Sequence, residues 1–148
     1  MRRGVRYGID VGKARVGVAR SDVDGLMAVP SETCSRGDAL ERLGTVALST
    51  EILEWVVGLP RTLDDRETPS TTDARDFASA LVATTGVPVR LVDERLSTVS
   101  AQASLHSASH TVKSSREVID QVAATILLQT TLDAERAGTM LGEMLEVS

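Results

Sequence analysis

Four acidic side chains stand where a merely structural carboxylate is costly. Asp10 ends the alternating run VRYGIDV and is followed by Gly12, Lys13 and Arg15, while Asp93 and Glu94 end a second apolar run, VPVRLVD. Asp120 interrupts the apolar start of a helical segment in which Asp120, Ala123, Ala124 and Leu127 fall at i, i+3, i+4 and i+7. That line of small and apolar residues predicts a sheet-facing stripe, so Asp120 points at the sheet, where it needs a cation, a donor or a metal. If the acids converge, they form an all-oxygen set suited to Mg²⁺ or Mn²⁺. Two such ions ~4 Å apart activate water and stabilise the leaving oxygen of a phosphodiester. Asp10, Glu94 and Asp120 are the expected ligands, with Asp93 the fourth catalytic candidate. Neighbouring side chains on a strand point to opposite faces, so only one of Asp93 and Glu94 should face the site, and the longer reach of Glu94 favours it. Each acid also has a plainer explanation. Asp10 can be a turn residue, and Asp93–Glu94 beside Arg95 can be a structural ion pair.

The elements that must position these acids are legible from periodicity and turn residues. Residues 5–11, 15–21 and 26–33 predict three short strands joined by tight turns, an antiparallel meander. Leu40, Leu43, Val46 and Ala47 have helical spacing within 37–49, and ILEWVVGLP predicts a buried strand. Thr68 and Pro69 open a helix predicted to run to about Thr85 and to stop at Gly86. A fifth strand spans VPVRLVD, a further helix is expected in STVSAQASLHSA, and Ser114 with Glu117 predicts a capping box for a last helix reaching about Ala137. The expected fold class is α/β: a five-stranded mixed sheet, three antiparallel strands then two parallel, with helices on both faces. Residues 1–137 form the single expected domain, and 138–148 a C-terminal tail that frays or lies outside it. The ends of neighbouring strands in such a sheet share an edge, where ligands bind.

Composition narrows the class. With 148 residues and 42% apolar content the chain can bury one substantial core, and 2% aromatic content means Ala, Val, Leu and Ile must build it. Cys34 is the only cysteine, which excludes an internal disulfide and fits a small buried hydrophobe in a reducing compartment. No leader or membrane-length apolar stretch is visible, so a cytoplasmic location with no membrane partner is expected. Net charge is −5, against a sequence-independent nucleic-acid coat, but fourteen of the sixteen cations are Arg, the residue suited to bidentate phosphate contacts. Lys13, Arg15, Arg61, Arg95, Lys113 and Arg116 sit at element ends and are the substrate-binding candidates. His106 and His110 lie in a Ser-rich stretch that predicts a solvated loop, not a metal site.

Four blocks in order, GIDVGKARVGVARSD, VVGLPRTLDD, VDERLSTVSAQ and VIDQVAATILLQ, resemble the YqgF/RuvX family from about Tyr7 to Leu132. The resemblance implies an RNase H-like fold related to the Holliday-junction resolvase RuvC. It implies a metal-dependent nuclease whose candidate acids map onto Asp10, Asp93–Glu94 and Asp120. It further implies a nucleic-acid partner: precursor 16S rRNA trimmed at its 5′ end, in association with ribosomal assembly particles, or branched DNA at a Holliday junction. One departure is Asp65, where many relatives carry glycine, which predicts a different turn in RTLDDRET. Two other readings begin from the same residues. The first block also resembles the phosphate hairpin of actin-like ATPases, but those need a second domain and a second phosphate loop. A non-catalytic binding module on the same fold is opposed by the retained acids.

Overall fold

The structure, a computed structural model, describes residues 1–96 and 116–146. The chain runs β1 (Val5–Val11), β2 (Arg15–Ser21), β3 (Ala28–Ser35), α1 (Ala39–Ser49), β4 (Ile52–Leu59), α2 (Pro69–Thr85) and β5 (Val89–Asp93). It continues through α3 (Arg116–Arg136) and a short β6 (Glu143–Leu145). One sheet has the order β3-β2-β1-β4-β5-β6. β1, β2 and β3 pair antiparallel, and β4 joins β1, and β5 joins β4, in parallel. The sheet therefore has six strands where the sequence predicts five. The sixth pairs antiparallel with β5 and comes from the segment expected to be a tail.

That strand forms because of two features near its start. Gly142 has φ 73°, and a Cβ there would lie 1.9 Å from the carbonyl oxygen of Leu91, so the turn into β6 requires glycine. Arg90 then donates from Nη1 to the carbonyl of Leu141 at 3.0 Å. β3 also begins later than predicted. The carboxylate of Asp22 accepts from the amides of Leu26 and Met27, both at 2.9 Å, and holds those residues in the turn. α2 has the predicted boundaries: Thr68 and Thr71 cap it reciprocally, Pro69 opens it and Gly86 ends it at φ 71°.

Strand alternation sorts the side chains onto two faces. Tyr7, Ile9, Val16, Val18, Trp55, Val57, Leu59, Val89 and Leu91 pack with Leu43, Phe77 and Leu81 of α1 and α2. On the opposite face Ala19, Val56 and Val92 meet Ala124, Leu127, Leu128 and Leu132 of α3. Helices thus cover both faces, as expected. Residue parity places Asp10 and Glu94 on the α3 face and Asp93 on the α2 face.

α3 sits very close to the sheet because β1 and β2 present glycines beneath it. A Cβ on Gly17 would lie 2.2 Å from the carbonyl oxygen of Asp120, and one on Gly8 would lie 2.7 Å from that of Ala124. No side chain fits at either position. In the register of β1 and β2, Gly17 is directly opposite Asp10. The same close approach that packs α3 therefore lowers Asp120 onto the sheet beside Asp10. The predicted helix over 97–108, the Ser114–Glu117 capping box, His106, His110, Lys113 and the side chain of Arg116 lie outside the described residues.

Candidate active site

Asp10 is the penultimate residue of β1, and Glu94 follows β5 directly, its amide still donating to the carbonyl of Leu59 at 3.0 Å. β4 runs between the two strands, and Gly58 lies under the gap. The Glu94 side chain passes over Gly58, whose notional Cβ would be 3.8 Å from Glu94 Cβ. Across that gap Glu94 and Asp10 share a hydrogen bond. Asp120 approaches the pair from α3 and adds its charge to the repulsion felt by Asp10.

Burial, then the charge of and hydrogen bond to Glu94, then the charge of Asp120, push the Asp10 carboxyl up to about 7. Burial, with a smaller contribution from the charge of Asp93, raises Glu94. Two buried carboxyl groups in contact share one proton when no cation separates them. The donor set is all oxygen and short of positive charge, which fits a hard divalent cation. Among the described residues no three His, Cys, Asp or Glu side chains are drawn together closely enough to hold an ion outright. Asp120 is instead held by Arg15, whose Nε donates to its Oδ2 at 3.1 Å.

Asp93 stands apart from this group. It faces the other side of the sheet and accepts from the backbone amide of Arg95 at 2.9 Å and from Arg95 Nε at 3.0 Å. Those bonds to Arg95 hold it below the usual carboxylate range. Arg95 in turn donates to the carbonyls of Thr62 and Leu63 and, at 2.8 Å, to Asp65 Oδ1. Arg61 donates to Asp65 Oδ1 at 3.1 Å. The sequence predicts a turn altered by the absence of glycine at 65, yet Asp65 takes φ 66°, the left-handed conformation that a glycine would supply.

Lys13 is exposed at the tip of the β1–β2 hairpin. That tip is fixed by Arg36, a residue the sequence reading did not single out. Arg36 donates to the carbonyl of Gly12 at 3.0 Å, pairs with Asp73 of α2 at 2.8 Å through each of two nitrogens, and lies 5.1 Å from the centroid of Phe77. Its signal in the sequence is slight, since an Arg after a strand is common. Gly17 was also overlooked. An isolated glycine inside a strand pattern marks a close backbone approach, and that signal was available.

A mixed sheet with helices on both faces and acids gathered at the ends of its first and fifth strands defines the RNase H-like class. The chain matches over 95% of its length, and 99% of the other chain, the structure of Thermus thermophilus RuvC in complex with a Holliday junction substrate, with a TM-score of 0.61 at 18% identity. A second structure of that RuvC superposes with a TM-score of 0.57 at 16% identity, covering 94% of this chain and 99% of that one. At these identities the likeness is one of fold. Within the class, the chain belongs to the RuvX family, described as Holliday junction resolvase, whose model matches residues 4–134. It is 56% identical over 140 residues to a protein of Leifsonia xyli named "Putative pre-16S rRNA nuclease", covering 93% of this chain and 90% of that one. A protein of the same name from Nocardioides is 51% identical, with 99% of each chain covered. No helix among the described residues is long and apolar enough to cross a membrane.

Proposed function

We propose that the protein is a divalent-metal-dependent nuclease that shortens the 5′ end of precursor 16S rRNA in the cytoplasm, working on ribosomal assembly particles. The observation that carries the chemistry is the contact of Asp10 with Glu94 on the α3 face of the sheet, with the charge of Asp120 felt by Asp10 from α3. The substrate reading rests on the names of the relatives. Asp10, Glu94 and Asp120 would hold Mg²⁺ or Mn²⁺, as two ions. A metal bound there would supply an activated water and would offset charge on the leaving oxygen.

The residues of the chain do the rest. Asp10 and Glu94 would hold a proton between them in the free site and give it up to bulk water when both act as ligands, because the ligating form of each is the carboxylate. Arg15 gives up Asp120 to the site and turns its guanidinium to a substrate phosphate. Lys13, held out on the hairpin that Arg36 anchors, adds a second charge along the backbone of the nucleic acid. Lys113 and Arg116 are assigned to the same phosphate track. Gly58 leaves the floor of the site open between Asp10 and Glu94.

The test is cleavage by purified protein with Mg²⁺ or Mn²⁺ of an RNA spanning the 5′ end of precursor 16S rRNA, with a four-way DNA junction as parallel substrate. Shortening of the RNA that is lost in Asp10→Asn is the expected result. Equal activity in the variant would sink the assignment, and resolution of the junction without action on the RNA would transfer the protein to DNA recombination.

A further inference from the structure

We infer that Asp65 is an affinity-setting residue that occupies the guanidinium groups of Arg61 and Arg95 in the free protein and yields them to substrate phosphates. The inference rests on the nuclease reading above and names a regulator of the same site.

Residues 61–67 form a small hairpin beyond β4. Arg61 bridges Glu67, Thr62 accepts the amide of Asp65 at 3.0 Å, and the amide of Thr62 donates to the carbonyl of Arg66 at 3.0 Å. This is a tight turn followed by one left-handed residue, and Asp65 is that residue. Among the described residues it is the one non-glycine with positive φ. An L-residue held there without need is a poor choice, so its side chain has to be considered. The carboxylate of Asp65 bonds two cations that come from different elements: Arg61, which follows β4, and Arg95, which follows Glu94. Arg95 is the residue next to Glu94, and Arg61 follows β4, the strand that runs between β1 and β5.

The two arginines differ in how firmly they are held. Arg95 is also bonded to Asp93 and to two hairpin carbonyls. Among the described residues Arg61 has Asp65, a distant Glu67 at 4.0 Å, and a buried Nε without a hydrogen-bond partner. The outer nitrogens of its guanidinium are thus held by one exposed carboxylate at hydrogen-bond distance, and a phosphate, with more acceptor oxygens, competes for them. Asp65 is 65% exposed, so its own release into water is cheap. Free protein thus keeps these charges masked, and binding to any polyanion is weakened by the exchange.

The experiment compares full-length wild type with Asp65→Gly, Asp65→Asn and Asp64→Asn. Glycine suits the left-handed position, and asparagine tolerates it while losing the charge. Asp64 is a neighbouring exposed acid paired with Arg66, so its substitution changes net charge equally without freeing Arg61 or Arg95. Binding of a single-stranded RNA spanning the precursor 16S 5′ end is titrated without divalent metal over a range of salt. Both Asp65 variants should bind about five- to tenfold tighter at low salt, with a salt slope steeper by about 0.7, one extra phosphate contact. Asp64→Asn should change neither by as much. Equal tightening by Asp64→Asn, or unchanged or weaker binding by the Asp65 variants while wild type binds, overturns the inference and leaves the nuclease reading standing. If neither wild type nor variant binds the RNA, the inference falls, and cleavage by Asp10-intact protein decides the nuclease reading separately.

Discussion

At the meeting of Asp10 and Glu94, protonation would compete with the proposed metal loading for the same oxygen atoms. Asp10 is raised from an ordinary value of 3.8 to about 7, mainly by burial and then by Glu94. A folded-state value above the unfolded one means that the native state binds more protons over that interval. The contribution of Asp10 to stability is therefore complete below about pH 4 and is lost progressively as pH rises toward 7. Metal-free protein should accordingly melt at lower temperature at pH 8 than at pH 5.5, as far as this pair decides it, and Asp10→Asn should flatten the difference. Affinity for Mn²⁺ should run the other way, rising with pH and levelling above about 7, when the proton no longer has to be displaced. Calorimetric titration with Mn²⁺ across that range checks the second half, and melting curves without metal check the first. A Mn²⁺ affinity independent of pH would show that the shared proton does not sit on the ligating oxygens.

At the scale of elements, the approach of α3 to β1 and β2 sets the geometry of the site. Gly17 lies under Asp120 with no room for a methyl group. Gly17→Ala must push the helix away, at a cost of about 1–3 kcal/mol, and move the Asp120 carboxylate with it. A displacement on the order of 1 Å at a reacting centre lowers turnover by roughly 100-fold. Cleavage measured at a temperature where wild type and variant are both folded checks this, and retained activity would mean that Asp120 is not needed where it sits. The sequence carried the stripe of Asp120, Ala124 and Leu127, and with it the face of α3, because helical spacing survives in any fold. Parity in the sequence says only that Asp93 and Glu94 face opposite ways, and which of them shares the face of α3 follows from the packing of the sheet. The glycine seat was harder to read, because Gly8 and Gly17 each have local uses and only the pairing of β1 with β2 brings them under one helix. β6 was missed for a related reason. Three residues with no pattern of their own are held by Gly142 and Arg90, and neither partner is visible from within the segment.

Across the whole molecule, the end of the sheet opposite the acids is closed by a buried ionic network. Glu54, 1% exposed, accepts from Arg90 at 2.7 Å and from Arg2 at 2.7 Å. Glu135, at the end of α3, accepts from Arg2 at 2.8 Å and from the buried Arg6 at 2.6 Å. Arg90 also reaches the carbonyl of Leu141. Five side chains thus tie the start of the chain, β4, β5, the end of α3 and the entry to β6 into one unit. Like the acids of the site they lie on the α3 face, but near the other ends of the strands. The two groups load α3 at its two ends. Removing one member of a buried network leaves its partners charged and unpaired, at a cost of about 3–5 kcal/mol. Glu54→Ala should therefore lower the denaturation midpoint sharply, whereas Glu54→Gln, which keeps an acceptor for Arg90, should lower it less. Since neither substitution touches Asp10, Glu94 or Asp120, cleavage per folded molecule should stay within about twofold of wild type. A Glu54→Ala protein that is as stable as wild type would show that water, and not the network, satisfies Arg90 and Arg2. One that is stable but inactive would show that the two ends of α3 move together.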